Sequence, residues 1–261
     1  MITEEQYFEL VNLQAQVYCQ LYIYSSNDKQ LLNPILFGSG FLASYKNKPF
    51  LITADHNLHF DDYDNKEERT GNEYIIAIVN NVNKDLSTVL TPLGGFYYGE
   101  QLCFNKKEAK LIDISVCLLK EINFQFPFLT HEISINNNSR IIVQAGVEKN
   151  FYDATLFTEP NTNQKYTTYG VVHNDIKGII GKRTNALYCD ISYNSTCGNY
   201  YNFLFSSEMK YEDWAGISGA PVFDYEGNIV GVVHRISENG IWVTPIKYAT
   251  MLMDLALKQE N

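Results

Sequence analysis

Apolar residues along this chain recur mostly at every second position or in short unbroken runs of about four to eight, the spacing of half-buried and fully buried strands. The run at 17–24, VYCQLYIY, alternates loosely. Segments 40–45 and 49–54 flank Lys46-Asn47-Lys48 as the arms of a hairpin. Further β-rich runs fall at 74–79, 111–119, 140–145, 221–223, 229–233 and 241–244. Clusters of Asn, Gly and Asp at 136–139 and 160–164 supply loop chemistry between them.

Only the two ends read as helical. Thr3-Glu4-Glu5-Gln6 carries the capping-box pattern and opens a short helix. From Ile246 through Ala249, Leu252 and Met253 to Leu257 the apolar residues step by three and four, just after Pro245, which predicts a C-terminal helix. Many short strands with a helix at each end predict an all-β protein, either two packed barrels or a sandwich. A length of 261 residues suits one large β domain or two small ones. A polar join near 121–138 is the candidate boundary, although Phe124, Phe126 and Phe128 imply that part of it is packed. No repeat at a period of roughly 20–50 residues is visible, which removes solenoids and propellers.

Composition then narrows the function by exclusion. The start, MITEEQYFEL, is acidic where a secretory signal is basic, and no apolar run approaches the ~18 residues of a membrane span. The five cysteines are odd in number, scattered and mostly set in apolar strand text, as reduced core thiols of a cytoplasmic protein are. A net charge of −10 with 20 dispersed Lys and Arg argues against nucleic acid or membrane as partner. With no Cys-x-x-Cys and no histidine pair at zinc-ligand spacing, neither a metal nor another cofactor is expected. Asp61, Asp62 and Asp64, with Glu67 and Glu68, read as a solvated loop, and His59 as a surface residue.

Candidate chemistry lies at three places. In GSGFLASYKNKPFLITADHNL, His56 follows an apolar strand. In KLIDISVCLL, Asp113 is the sole acid of an apolar strand, and a buried acid needs a hydrogen-bonding partner. In GISGAPVF, Ser218 sits between two glycines, Gly216 and Gly219. A free serine is a weak nucleophile at neutral pH. It needs a base, which His56 supplies at a suitable pKa, and a carboxylate to hold that base in one tautomer, which Asp113 supplies. The alternative for Ser218 is a plain strand-connecting turn. Gly216 permits a backbone in which its N–H and that of Ser218 converge as an oxyanion hole.

Taken in this order, a histidine after Ile-Thr-Ala, an acid in Asp-Ile-x-Val-x-Leu and a Gly-x-Ser-Gly-x-Pro turn resemble the chymotrypsin-fold (trypsin-like) serine proteases, especially the compact bacterial intracellular kind. The match runs from about Leu36 to the terminal helix. It implies two perpendicular six-stranded antiparallel β-barrels: residues 1–125 with the N-terminal segment, His56 and Asp113, and residues 126–261 with Ser218 and the C-terminal helix. It also implies His56 as general base, Asp113 as its orienter, Ser218 as nucleophile, and Gly216 and Ser218 amides as the oxyanion hole.

By the same resemblance His234, Arg235 and Ile236 lie on the strand that binds an extended protein or peptide substrate. The His234 side chain has three readings: bonded to Asp113, lining the specificity pocket, or facing solvent. Glu212 falls near the pocket base, where an acid selects Lys or Arg, or else belongs to a surface loop. Gly240 matches a position where a small residue keeps the pocket open. Secreted relatives place an aspartate before the serine to sense zymogen cleavage. This chain has Ile217, so that switch is absent, and the enzyme is either formed as made or controlled by a regulatory protein partner. A cytosolic protease must be kept off bystander proteins, so narrow specificity or activation by an associated protein is expected, and trypsin-like modules of bacterial stress and anti-phage systems offer an analogy for such control. The contrasting class is a catalytically silent fold that binds a protein. An α/β-hydrolase esterase lacks support, because the serine is not in a Gly-x-Ser-x-Gly elbow.

Overall fold

The structure is a computed structural model, and it describes residues 3–64, 69–80, 89–103, 108–119, 131–135, 139–143, 149–177, 180–206, 214–237 and 239–260. Helix α1 (Glu4–Val17) opens on the expected capping box: Thr3 Oγ1 accepts the Gln6 N–H at 3.2 Å, and Gln6 Oε1 accepts the Thr3 N–H at 3.0 Å. Strands β1 (Tyr18–Tyr24), β2 (Leu36–Tyr45) and β3 (Lys48–Thr53) follow. The β2–β3 hairpin turns on Lys46 and Asn47 at φ 50° and 60°, the two left-handed residues that match a tight turn to the twist of its strands. A 3₁₀ turn, Asp55–Asn57, and α2 (Phe60–Asp64) lead to β4 (Ile75–Asn80), β5 (Val89–Leu93), β6 (Phe96–Cys103) and β7 (Glu108–Leu118). The chain continues through β8 (His131–Ile135), β9 (Ser139–Val143), β10 (Tyr152–Asp153), β11 (Lys165–Lys177), β12 (Ile180–Cys197) and β13 (Tyr200–Leu204). It ends with β14 (Pro221–Asp224), β15 (Ile229–Ser237), β16 (Gly240–Pro245) and α3 (Lys247–Gln259).

These strands form two sheets. The first runs β5-β4-β1-β2-β3-β7-β6, with β10 added in parallel beside β2, and curls into a half-barrel. The second runs β11-β14-β15-β16-β13-β12, and pairing of β11 with β12 closes it into a six-stranded barrel, with β8 and β9 appended to β12. This is the two-barrel chymotrypsin-like arrangement. The expected join at 125/126 lies outside the described residues.

Three apolar clusters hold the frame. One, with Leu21, Leu42, Leu51 and Ile78, fills the first sheet. Another, with Tyr166, Tyr188, Phe203, Trp214 and Val243, fills the closed barrel. A third joins Phe41, Phe50, Ile114 and Val116 of the first sheet to Phe223 and Val232 of the second, under Ala249, Leu252, Met253 and Ala256 of α3. Helix α3 thus packs on β6 and β7, whereas Val11 and Ala15 of α1 pack against Tyr169, Val171 and Leu187 of the closed barrel. Among the described residues no helix is long and apolar enough to cross a membrane.

Candidate active site

The histidine comes first, because its backbone is fixed before its ring. β3 ends at Thr53, and the 3₁₀ turn that follows begins at Asp55, a fully buried acid that the sequence reading passed over. Asp55 Oδ1 accepts the Ser115 hydroxyl at 2.6 Å and His59 Nδ1 at 2.9 Å, and Oδ2 accepts the Tyr63 hydroxyl at 2.9 Å and Arg69 Nη1 at 2.6 Å. A buried carboxylate is tolerated only when its lone pairs are met in this way. Two expectations fail here. His59 is buried, 2% exposed, instead of lying on the surface. Asp61, Asp62 and Asp64 belong to helix α2 instead of a loop, while Glu67 and Glu68 lie outside the described residues, and Asp62 is buried and accepts Thr70 N at 2.7 Å, Thr70 Oγ1 at 2.6 Å and Arg69 Nη1 at 3.0 Å. Arg69, stacked on Tyr98 at 4.6 Å, is the cation that makes both burials affordable in energy.

With that turn held, His56 meets Asp113. Alternation along β7 sends Ile114 and Val116 into the apolar cluster under α3 and leaves Asp113 and Ser115 on the opposite face. Asp113 is fully buried. Its Oδ1 accepts the His56 backbone N–H at 2.8 Å, and its Oδ2 lies 2.9 Å from His56 Nδ1. Nδ1 therefore carries the proton, and Nε2 is left as the basic nitrogen. Burial opposes ionisation of Asp113, but the imidazoles of His56 and His234 and their hydrogen bonds outweigh it and hold the carboxyl well below the ordinary range. Burial likewise opposes charge on His56, yet the adjacent Asp113, with Asp55 behind it, raises the imidazole above its usual value.

His234 shares this carboxylate. Of its three readings the structure selects the bond to the acid: Nδ1 hydrogen-bonds Asp113 Oδ2, the residue is buried, and its ring stacks on Tyr200 with centroids 4.4 Å apart and planes 10° from parallel. His56, Asp113 and His234 place ligand-type atoms within 4.8 Å of one another. Both imidazoles turn Nδ1 onto one oxygen, however, and hydrogen bonds account for that convergence.

The serine turn is docked onto the first sheet by groups that the motifs did not single out. Ile217 N bonds Trp214 O at 3.0 Å and Ala220 N bonds Ile217 O at 2.9 Å, two successive tight turns that share Ile217, with Ser218 the next residue, inside the second. The Ser218 carbonyl accepts Ser39 N at 2.8 Å and Asn57 Nδ2 at 3.0 Å, so the residue after His56 grips the residue that carries the hydroxyl. Ser39 Oγ donates to the Gly216 carbonyl at 2.7 Å, and Tyr18 OH lies 3.1 Å from Ser39 Oγ while accepting Val171 N at 3.0 Å. Gly216 has φ 104°. Among the described residues the N–H groups of Gly216 and Ser218 have no hydrogen-bond partner, and Ser218 Oγ makes no bond to His56.

The remaining expected residues divide. Arg235 and Ile236 follow His234 on β15, past a bulge between Val233 and Arg235. Pairing of β15 with β14 stops at Val232, so the edge at 234–236 carries no strand among the described residues. At Gly240 an added Cβ would lie 1.8 Å from the Phe203 carbonyl, which ties this glycine to the crossing of β13 and β16. Glu212 lies outside the described residues.

No family model and no curated protein matches the sequence. Among solved structures the chain is similar to a serine endoprotease from Yersinia pestis, at 15% identity and a TM-score of 0.51, over 100% of this chain and 69% of that one. It is also similar to the thermostable serine protease AL20 from an extremophilic microorganism, at 10% identity and a TM-score of 0.51, over 94% of this chain and 98% of that one. At these identities the likeness defines the fold, that of the chymotrypsin-like serine proteases.

Proposed function

We propose that this protein is a serine endopeptidase that cleaves a protein substrate through an acyl-enzyme. One observation carries the reading: a His56–Asp113 pair, bonded through both ring and backbone, stands beside a Ser218 turn in which the Gly216 and Ser218 amides are unpaired among the described residues and the Ser218 carbonyl is held by Asn57. In this mechanism Ser218 Oγ attacks the scissile carbonyl as its proton passes to His56 Nε2. The tetrahedral oxyanion accepts the N–H groups of Gly216 and Ser218, each worth about 3 kcal/mol in such sites. Collapse breaks the C–N bond, with the proton returned from His56 to the leaving amine, and water repeats the sequence to release the acid. Asp113 stays ionised throughout and stabilises the imidazolium. The open edge of β15 at 234–236 supports substrate binding as an added strand.

Ile217 supports the absence of a zymogen switch. Its side chain is fully buried in the closed-barrel core, with Cγ1 3.1 Å from where a Cβ on Gly170 would lie, so apolar packing takes the place of an ionic latch. Control then belongs to narrow specificity or to a protein partner. A fluorophosphonate probe tests the chemistry directly. It should label Ser218 in the folded chain and lose labelling by several orders of magnitude in His56→Ala. No labelling of Ser218, or labelling indifferent to His56, would remove the reading.

A further inference from the structure

Asp113 Oδ2 is claimed twice, by Nδ1 of His56 and by Nδ1 of His234. A carboxylate oxygen shared between two N–H donors lends less of its charge to either one than it would to one alone. The second donor is itself firmly placed. Tyr200 stacks on its ring, Tyr63 lies 6.2 Å away, and the bulge in β15 sets its direction toward the acid.

We propose that His234 is a positioning residue that sets the basicity of His56 by sharing Asp113 Oδ2. The catalytic meaning of this assignment rests on the serine-protease reading, but its measurement does not. The groups that face His56 are Asp113 from β7, Asp55 from its own turn, Tyr63 from α2, and His234 and Arg235 from β15. Asp113 and Asp55 favour a protonated ring, and Arg235 opposes one. Among the described residues only His234 bonds the same Asp113 oxygen as the His56 ring. Removing that donor returns the oxygen to His56 alone and strengthens its pull on the imidazolium, so the pKa of His56 must rise. Asparagine places an N–H near where Nδ1 lies and should restore the sharing.

The experiment is a nitrogen-15 NMR titration of the full chain carrying Ser218→Ala, which removes self-cleavage. The parent should show two low-field imidazole N–H protons. His234→Ala should raise the His56 pKa by about half to one pH unit, the worth of one hydrogen bond, and His234→Asn should return it toward the parent value. A single low-field proton in the parent, an unmoved His56 in His234→Ala, or an Asn variant as displaced as the Ala variant would overturn the assignment. If His234→Ala does not fold, the parent spectrum and the Asn variant decide. Fluorophosphonate labelling of Ser218 in the native chain is a separate measurement, so failure of the enzymatic reading and failure of this assignment are told apart.

Discussion

In the proposed mechanism His56 serves as a base only while its ring is neutral, and the pull of Asp113, which raises its pKa, sets where that begins. As pH falls through the raised value the ring protonates and activity is lost. The acid limb of kcat/KM should therefore have its midpoint above the ordinary histidine value of about 6.5, and a midpoint at or below it contradicts the assigned pairing. Stability runs the other way. The contribution of the charged pair is full below the ordinary histidine pKa and is lost as pH rises through the raised one. Asp113, held low, remains ionised across that window. His56, Asp113 and Ser218 are legible as candidates in the sequence because each stands out against its surroundings: a base after a strand, an acid inside one, a hydroxyl between glycines. Asp55 and Asn57 were not legible, although they flank His56. Their importance lies in partners 14 to 161 residues away, such as Arg69, Ser115 and Ser218, and short-range pattern carries no trace of such pairings. His59 was misread for the same reason, since its burial depends on Asp55 and Tyr98.

Among the elements, the β2–β3 hairpin and α3 announce themselves through strict local rules: two residues able to turn left-handed between apolar arms, and an apolar stripe at helical spacing. β11 and β12 do not. They extend for 13 and 18 residues through polar text such as NDIK and GKRTNA, with bulges in their pairing and Asp190 at φ 60°. Their β structure comes from pairing with each other and with β14, β13 and β8, where tertiary context overrides propensity. β2 shows how an element can position a site it does not line. Its Gly-Ser-Gly segment meets the serine turn so closely that a Cβ on Gly219 would lie 1.9 Å from the Ser39 carbonyl and 2.5 Å from Thr53 Oγ1. Gly219 also has φ 93°, which an L side chain adopts only with strain. Gly219→Ala should cost about 3 kcal/mol or more in denaturant unfolding and abolish Ser218 labelling even in protein that remains folded. An alanine variant within 1 kcal/mol of the parent, by that same order-of-magnitude scale, would show that the two sheets are not docked here as described.

For the whole molecule the two sheets divide the proposed chemistry. The curled first sheet carries His56, Asp113 and the Ser39–Asn57 grip, and the closed second barrel carries Ser218, the Gly216 amide and His234. Neither can act alone, and the apolar cluster beneath α3, shared by Phe50, Val116, Phe223 and Val232, holds them in register. The central claim is that this register points the Gly216 and Ser218 amides at an oxygen on the Ser218 adduct. A crystal structure of the protein after reaction with a fluorophosphonate measures it. Phosphorus is expected on Ser218 Oγ, with one phosphonyl oxygen within hydrogen-bond distance of both amides and His56 Nε2 on the leaving-group side while Nδ1 stays on Asp113. Phosphorus on another residue, or an adduct whose oxygens meet neither amide, would contradict it.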